Sequence, residues 1–355
     1  MPSPSPLSHD RISALTSLRG IAAVCIVLFH YGVNGFDRPT WLGVSMFFIL
    51  SGFLLAKRHR SIECRQWRRF ALPCLARIYS IHWTTLAILA LIHIATASGA
   101  TLQWLAPHLL LVQAWLPWHE AVYAHNSVAW FLSALVVCYM AFPLLWQLVK
   151  RMPQWQLAAL VALLAAVQAI IINCAGGEIA YTHPLSRLQD FVLGMVLGRL
   201  SLDAKPSCKT SATIRQVAAV ALTAIVIMAD NAFPTAFEGY DATLLWWPSA
   251  AALVWAFSCA EGTGVRLHGF RPLVWLGGIS LEIYLLQNHA ALVWNNFAAP
   301  VAAHFGFTGA YDHYALPSLV LLIVAARAAH RWITAPMWSA INRRFNRQPL
   351  TAAKP

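Results

Sequence analysis

Ten apolar runs, each about as long as a bilayer core is thick, constrain this chain more than any other feature of its sequence. A helix needs about 20 mostly apolar residues to cross a hydrocarbon core of roughly 30 Å. Such spans must be helical because the bilayer offers backbone groups no water to bond. We therefore predict an all-α, polytopic membrane protein with about ten transmembrane helices, at 14–36, 40–56, 71–97, 127–149, 155–174, 185–203, 214–231, 242–260, 273–298 and 314–336.

The composition agrees with a membrane protein. Only 11% of the 355 residues are charged, against about 25% in an ordinary soluble domain. Lys and Arg number 25 against 13 Asp and Glu, for a net charge of +12. Such a balance also occurs in nucleic-acid-binding proteins. Here the basic residues lie beside apolar runs, so we expect a lipid bilayer as a partner and no nucleic acid.

The distribution of basic residues predicts the topology, because Lys and Arg are enriched in cytoplasmic loops. Ten spans with both termini in the cytoplasm place nearly all Lys and Arg on one side. Counting the apolar stretch 102–116 as an eleventh span would move Lys150 and Arg151 outside. We therefore expect 102–116 to be a re-entrant or surface helix. The predicted layout is a cytoplasmic tail at 1–13, a membrane domain at 14–336 and a basic cytoplasmic tail at 337–355.

The seven cysteines predict neither a structural disulfide nor a metal site. They fall within predicted spans or on the cytoplasmic side, and the sequence contains no Cys-x-x-Cys pair. Cytoplasmic thiols stay reduced, and metal-binding cysteines are usually closely spaced.

Two polar residues in the first run are candidates for chemistry. Arg19 and His30 are 11 residues apart, which places them on nearly the same helix face about 16 Å apart along the axis. An arginine suits a phosphate-bearing ligand, and a histidine suits general base work on a hydroxyl. The residues alone equally allow a snorkelling Arg19 and a purely structural His30.

Three further groups of polar residues allow more than one interpretation. The basic segment 57–77 favours lipid contact and topology for most of its residues, with donor phosphates as the alternative. Glu282 and His289 share a helix face, so they form either a packing seam or the wall of an active site. His82 and His93 are also 11 residues apart, and we assign both to structure.

Four patches in chain order resemble the acyltransferase family 3 membrane proteins, the bacterial O-acyltransferases of surface polysaccharides. They are 18–30 with the family's Arg-x10-His signature, 43–54 with Phe-Phe-Ile-Leu-Ser-Gly-Phe-Leu, 77–79 with Arg-Ile-Tyr, and 275–286 with Gly-x-Ile-Ser and Tyr-Leu. Weaker matches lie at 130–143 and 191–195. The chain keeps Arg19 and His30, and it departs from the family at Cys74, Leu135, Gln287 and Thr334.

The resemblance implies an acyltransferase without a permanently bound cofactor, which uses acetyl-CoA or another acyl-CoA as co-substrate. The implied acceptor is a sugar hydroxyl of an exopolysaccharide or of a lipid-linked oligosaccharide, at the outer side of the bacterial inner membrane. Polysaccharide-assembly proteins are possible partners. The implied catalytic residues are His30 and Arg19, with Arg77, Arg68 and Arg69 at the donor. The implied acceptor-side residues are Trp130, Ser133, Tyr139, Glu282, Tyr284, Gln287 and His289.

Two other function classes stay open at this point. A secondary transporter would show inverted repeats with helices broken by Gly or Pro, and we find no such pairing in the sequence. A non-catalytic membrane component of a polysaccharide assembly complex would need neither Arg19 nor His30.

Overall fold

The chain forms helices throughout the part that its structure, a computed structural model, describes. The described residues are 9–96, 102–204, 208–258, 270–306 and 315–346, and no strand occurs among them. The helices are α1 (His9–His30), α2 (Asp37–Arg58), α3 (Trp67–Ala95), α4 (Leu105–Leu110), α5 (His119–Tyr123), α6 (Trp130–Val149), α7 (Gln154–Ala175), α8 (Gly177–Thr182), α9 (Pro184–Asp203), α10 (Lys209–Ala232), α11 (Trp247–Phe257), α12 (Arg271–Gly278), α13 (Ser280–Val293), α14 (Ala299–His304), α15 (Ala315–Ala329) and α16 (Ala335–Asn346).

Seven helical segments are long and apolar enough to cross a membrane, and the protein is therefore a multi-pass membrane protein. They correspond to seven of the ten predicted spans. Their bounds are Ser13–His30, Asp37–Arg58, Cys64–Ala95, Ser127–Val149, Gln154–Ala175, Lys209–Ala232 and Ala315–Arg344.

The three other predicted spans are also helical, but each differs from a simple apolar helix. The run 185–203 is α9, which carries two basic and two acidic residues. The run 242–260 contains a shorter apolar helix, Leu244–Phe257. The run 273–298 is divided at Ile279 between α12 and α13. The count of ten and the cytoplasmic location of both termini therefore stay predictions, and residues 1–8 and 347–355 of the predicted tails lie outside the described residues.

The helices belong to two compact units. The first unit contains Met1–Arg60 and Leu145–Tyr284, and the second contains Ser61–Leu144 and Leu285–Pro355. In the first unit α2 packs along α9, and α1 packs on α2 and α12. In the second unit α3 packs on α16.

Glycines bring α2 and α9 into close contact. A β-carbon on Gly52 would collide with the carbonyl oxygen of Phe191, and one on Gly194 would collide with that of Ile49. Helices in a membrane associate largely through such small residues, because apolar side chains gain little by leaving lipid. The packing of α2 on α9 therefore depends on these two residues.

The stretch 102–116 forms no long helix, in agreement with the prediction that it is not a separate span. Helix α4 ends at Leu110, where Leu111 adopts a left-handed conformation with φ 56°. A 3₁₀ turn, Gln113–Trp115, and the short helix α5 follow. The chain then enters α6 through a second 3₁₀ turn, Ser127–Ala129.

Candidate functional site

Helix α1 carries the two residues of the Arg-x10-His signature. Arg19 lies in the middle of the helix and is half-buried, with its guanidinium carbon 6.0 Å from the ring centroid of Phe47. His30 is the last residue of α1 and is exposed. The two side chains share a face of one continuous helix, about 16 Å apart along its axis.

The hydrogen bond of His30 determines which ring nitrogen can act as a base. Its Nδ1 lies 2.8 Å from the carbonyl oxygen of Ile26. A carbonyl oxygen only accepts hydrogen bonds, so Nδ1 is the nitrogen that carries the proton. In the neutral imidazole the lone pair is then on Nε2, which is the atom able to accept a proton from a hydroxyl.

The glycines near Arg19 hold α1 against α12. A β-carbon on Gly20 would lie 2.7 Å from the carbonyl oxygen of Leu273 and 2.8 Å from the backbone nitrogen of Gly277. A β-carbon on Gly277 would collide with the carbonyl oxygen of Thr16. Gly20 and Gly277 belong to two separate patches of the family resemblance, and the fold brings these patches together.

A buried ion pair that the sequence analysis did not identify lies in α9. Nη1 of Arg187 donates a hydrogen bond to Oδ2 of Asp190 at 2.7 Å, and both side chains are 0% exposed. The same Nη1 donates to Oγ of Ser45 in α2 at 3.2 Å. The indole Nε1 of Trp247 in α11 donates to Oδ1 of Asp190. The pair thus joins α2, α9 and α11.

The remaining guanidinium donors of Arg187 bond to backbone. Its Nε donates to the carbonyl oxygen of Tyr181 at 2.6 Å, and Nη2 donates to that of Ala242 at 3.2 Å. Arg187 also lies over the Tyr181 ring, 4.6 Å from its centroid. Burial raises the pKa of Tyr181 to about 12, although the charge of Arg187 opposes this rise. The phenol therefore stays neutral at physiological pH.

The sequence carried a signal for this pair. Opposite charges three residues apart within an apolar run face the same side of a helix, and charges within a membrane segment are usually paired or functional. A second ion pair of the first unit joins α2 to α10, with Nε of Arg38 2.7 Å from Oδ2 of the fully buried Asp230.

The predicted donor residues of the second unit lie on α3. Arg77 is half-buried, and its guanidinium has no hydrogen-bond or ion-pair partner among the described residues. Arg68 and Arg69 are exposed, with Arg68 5.6 Å from the ring centroid of Trp67.

His59, in the first unit, adds no charge to the basic segment 57–77. Burial first, and the charge of Arg58 second, lower the pKa of His59 to about 4. The imidazole is therefore neutral at physiological pH.

The predicted acceptor-side residues lie on α6 and α13. On α6, Trp130 and Ser133 are buried, Tyr139 is half-buried, and Oγ of Ser133 has no hydrogen-bond partner among the described residues. On α13 all four predicted residues are buried, namely Glu282, Tyr284, Gln287 and His289.

One contact joins two of the predicted sets within the second unit. Nε2 of His289 donates to the carbonyl oxygen of Thr85 in α3 at 2.9 Å. Helix α3 also carries Arg77, so this bond fixes the helix with the predicted donor arginines against α13. Glu282 and Tyr284 lie on the same α13 but belong to the first unit.

The described residues contain neither a metal-binding cluster nor a disulfide. Among them, no three His, Cys, Asp or Glu side chains are arranged to hold a metal ion. None of the six described cysteines is joined in a disulfide, and Cys259 lies outside the described residues.

Comparison with known proteins assigns the chain to a family. The model of the family described as "Acyltransferase domain" matches residues 12–329. The chain is 29% identical over 380 aligned residues to "Acyltransferase MdmB" of Streptomyces mycarofaciens. That alignment covers 94% of this chain and 93% of the relative. It is 25% identical over 316 residues to "Putative peptidoglycan O-acetyltransferase YrhL" of Bacillus subtilis (strain 168). That alignment covers 78% of this chain and 48% of the relative. No solved structure matches the chain significantly.

The matched range contains Arg19 and His30 of α1, both halves of the glycine contact between α1 and α12, and the buried pair in α9. Because the family model covers most of the chain, this protein belongs to the acyltransferase family 3 membrane proteins and is an acyltransferase.

Proposed function

We propose that the protein is a membrane O-acyltransferase of the bacterial inner membrane, and that acetyl is the transferred group. It moves this group from cytosolic acyl-CoA to a sugar hydroxyl of an exopolysaccharide or lipid-linked glycan at the outer side of that membrane. The observation that carries the proposal is the imidazole of His30, which presents the Nε2 lone pair on the same helix face as Arg19. The relative named as an O-acetyltransferase supports oxygen as the accepting atom.

Arginines are the proposed ligands of the donor. A guanidinium matches phosphate oxygens with a planar fork of donors. Arg77 supports this role because it lies half-buried in a predicted span without a protein partner among the described residues. Arg19 is the second proposed ligand, and the exposed Arg68 and Arg69 would attract the donor from the cytosol.

His30 is the proposed general base. Its Nε2 accepts the proton of the sugar hydroxyl while the sugar oxygen bonds to the carbonyl carbon of the thioester. The carbon–sulfur bond then breaks, and the imidazolium returns the proton to the CoA thiolate. The products are an ester and free CoA, and His30 is again neutral. An acyl-histidine intermediate, formed by attack of Nε2 on the thioester, is the alternative order of steps.

The test compares ester-linked acetate on exported polysaccharides in the parent strain, a deletion strain, and deletion strains complemented with variants. We expect the deletion to remove acetate and the wild-type gene to restore it. His30→Ala should lower the initial acetylation rate roughly 10²–10⁴-fold, the usual contribution of a general base. Arg19→Ala should lower the rate through weaker donor binding.

His93→Ala is the matched control. Like His30, His93 lies near the end of a helix and bonds through Nδ1 to the carbonyl oxygen four residues earlier, Leu89, at 2.9 Å. This variant should restore acetylation fully. Full acetate with His30→Ala would exclude catalysis by His30 and favour a non-catalytic role. Equal acetate in parent and deletion strains would exclude the polysaccharide acceptor, and a transporter would then be tested by uptake.

A further inference from the structure

The segment 104–126 of the second unit lies against the middle of α3. Three side chains of α3 donate hydrogen bonds to the last carbonyl groups of α4. Nε2 of His82 reaches the oxygen of His108 at 2.7 Å, and Trp83 and Tyr79 reach the next two carbonyl oxygens at 3.2 and 2.9 Å. These donors lie 12 to 16 residues from the start of a helix of 29 residues. The segment is therefore re-entrant in a protein that spans a membrane.

Non-helical backbone at that depth is tolerated only where it is buried in protein or lines a polar cavity. The backbone here is also strained. Trp104, Leu111 and His125 have φ of 63°, 56° and 56°, and no other non-glycine residue of the described chain has a positive φ. Such conformations cost about 1–3 kcal/mol each and cluster at functional sites.

Hydrogen bonds hold the segment to α13 and α3. Nδ2 of Asn126 donates to the carbonyl oxygen of Leu285 at 3.0 Å, and Nδ2 of Asn288 donates to Oγ of Ser127 at 2.8 Å. The bond from His289 to Thr85 links α13 to α3 within one turn of His82. The segment, α3 and α13 thus form one connected polar cluster within the second unit.

Several polar atoms of this cluster are buried and have no hydrogen-bond partner within the described part of the chain. The side chains of His82, His108, Gln113 and Asn126 are 0% exposed, and His289 is 4% exposed. The atoms without a partner among the described residues are Nδ1 of His82 and of His108, Oδ1 of Asn126, and both Nε2 and Oε1 of Gln113. A folded protein rarely leaves buried polar atoms unpaired, so these atoms need partners, and the hydroxyl groups of a bound ligand would supply them.

The histidines show which kind of ligand group fits. In each of the three, Nε2 faces a carbonyl oxygen, with that of Ala121 the partner of His108 at 2.9 Å. The three Nε2 atoms therefore carry the protons, and the Nδ1 atoms of His82 and His108 are lone-pair acceptors. Together with the oxygens of Asn126 and Gln113, the unpartnered atoms are mostly acceptors and carry no charge.

We propose that this re-entrant cluster binds the hydroxyl groups of the sugar acceptor, which places the specificity for the acceptor in the second unit. A neutral, donor-rich polyol matches an uncharged set of acceptors, whereas a phosphate or carboxylate would meet lone pairs. The Gln113 amide, with one donor and one acceptor atom, matches two neighbouring hydroxyls. The inference rests on the proposed function for the identity of the acceptor, and it assigns His82 a binding role beyond its structural bond to His108.

The decisive variant is Gln113→Leu, because the amide of Gln113 makes no hydrogen bond to any residue that the structure describes. Leucine fills a similar volume, so the variant should keep or raise the melting temperature of the purified protein. The acceptor probe is the unacetylated polysaccharide from the deletion strain, with radiolabelled acetyl-CoA as donor. We expect the KM for polysaccharide to rise about tenfold, as for the loss of two neutral hydrogen bonds, while the KM for acetyl-CoA stays unchanged.

His82→Gln is the second variant. The amide nitrogen of glutamine can keep the hydrogen bond to the His108 carbonyl, but the variant lacks the Nδ1 acceptor. Its KM for polysaccharide should also rise with an unchanged KM for acetyl-CoA. Gln168→Leu is the control, since this buried amide of the first unit already bonds Ser186 and Thr243 at 2.7 and 2.9 Å. It should lower the melting temperature without changing the KM for polysaccharide.

Three results would overturn the inference. The first is an unchanged KM for polysaccharide in both variants, which would leave ordered water as the partner of these atoms. The second is a lower melting temperature for Gln113→Leu, which would make the amide structural. The third result comes from a binding experiment that does not depend on catalysis. If the wild type transfers no acetate, the proposed function fails, but the site can still be tested by fluorescence titration of wild type and Gln113→Leu with the same polysaccharide. Equal affinities in that titration are the third result.

Discussion

At the scale of single residues, the buried Arg187–Asp190 pair is the feature with the clearest energetic consequence. Both side chains are 0% exposed, and all three nitrogens of the guanidinium donate hydrogen bonds. Removing one charge of such a pair leaves the other buried without compensation, which costs roughly 3–5 kcal/mol. The partners lie on three helices, so the loss would loosen the packing around α2.

We therefore expect Asp190→Asn to lower the melting temperature of the detergent-solubilised protein strongly. The double variant Arg187→Met/Asp190→Leu should recover much of this loss, because it removes both buried charges. Unfolding is followed by intrinsic tryptophan fluorescence. The control is Arg199→Met in the more exposed pair with Asp203, 21% and 50% exposed, where the effect should be about 0–1 kcal/mol. A double variant less stable than Asp190→Asn would show that the pair is net stabilising.

At the scale of elements, glycines of the family-like patches are contact points between helices. Gly52 of α2 lies against α9, and Gly194 of α9 lies against α2, both so closely that neither position tolerates a β-carbon. The resemblance in these patches thus reflects helix packing as much as chemistry. Only Arg19 and His30 among the residues of the first patch carry side chains suited to the reaction.

Gly194→Ala should destabilise the protein by about 1–3 kcal/mol, because the added methyl group forces α2 and α9 apart. The expected readout is a lower melting temperature and a lower acetylation rate, since α2 also packs on α1. Gly278→Ala is the control. A β-carbon there meets nothing within 4 Å, so this change should be neutral or slightly stabilising. Equal melting temperatures for the two variants would contradict the close approach of α2 and α9.

At the scale of the whole molecule, the uneven distribution of Lys and Arg among the loops predicts on which side of the membrane each loop lies. The number of membrane-crossing helices must agree with these predicted sides. Cys64 and Cys208 are both exposed, and neither forms a disulfide among the described residues. Four predicted spans separate them, of which three, within α3, α6 and α7, are among the seven apolar helices of sufficient length. The fourth is α9, with its four charged residues. The sidedness of the two thiols therefore decides whether α9 crosses the membrane.

The test uses two variants, one that keeps only Cys64 and one that keeps only Cys208, with serine in place of every other cysteine. We expect a membrane-impermeant maleimide to label each remaining cysteine only from the cytoplasmic side. Glu238→Cys, in an exposed position of a predicted outer loop, should be labelled in intact cells and serves as the control for the opposite side. Labelling of Cys208 in intact cells would contradict the ten-span topology. It would be consistent with an α9 that does not cross.

The sequence by itself determined the helical membrane class and the family. A crossing helix needs a local run of apolar residues, and the family-like patches are contiguous stretches of chain, so both are visible without coordinates. Arg19 and His30 were also accessible, because helical periodicity within one segment relates them. Only the tertiary structure decided that Ser45, Arg187 and Trp247 belong to one network, and that His82, His108 and His289 each donate from Nε2 to a backbone carbonyl of another segment. These properties depend on contacts between residues far apart in the chain, and no local pattern encodes such contacts.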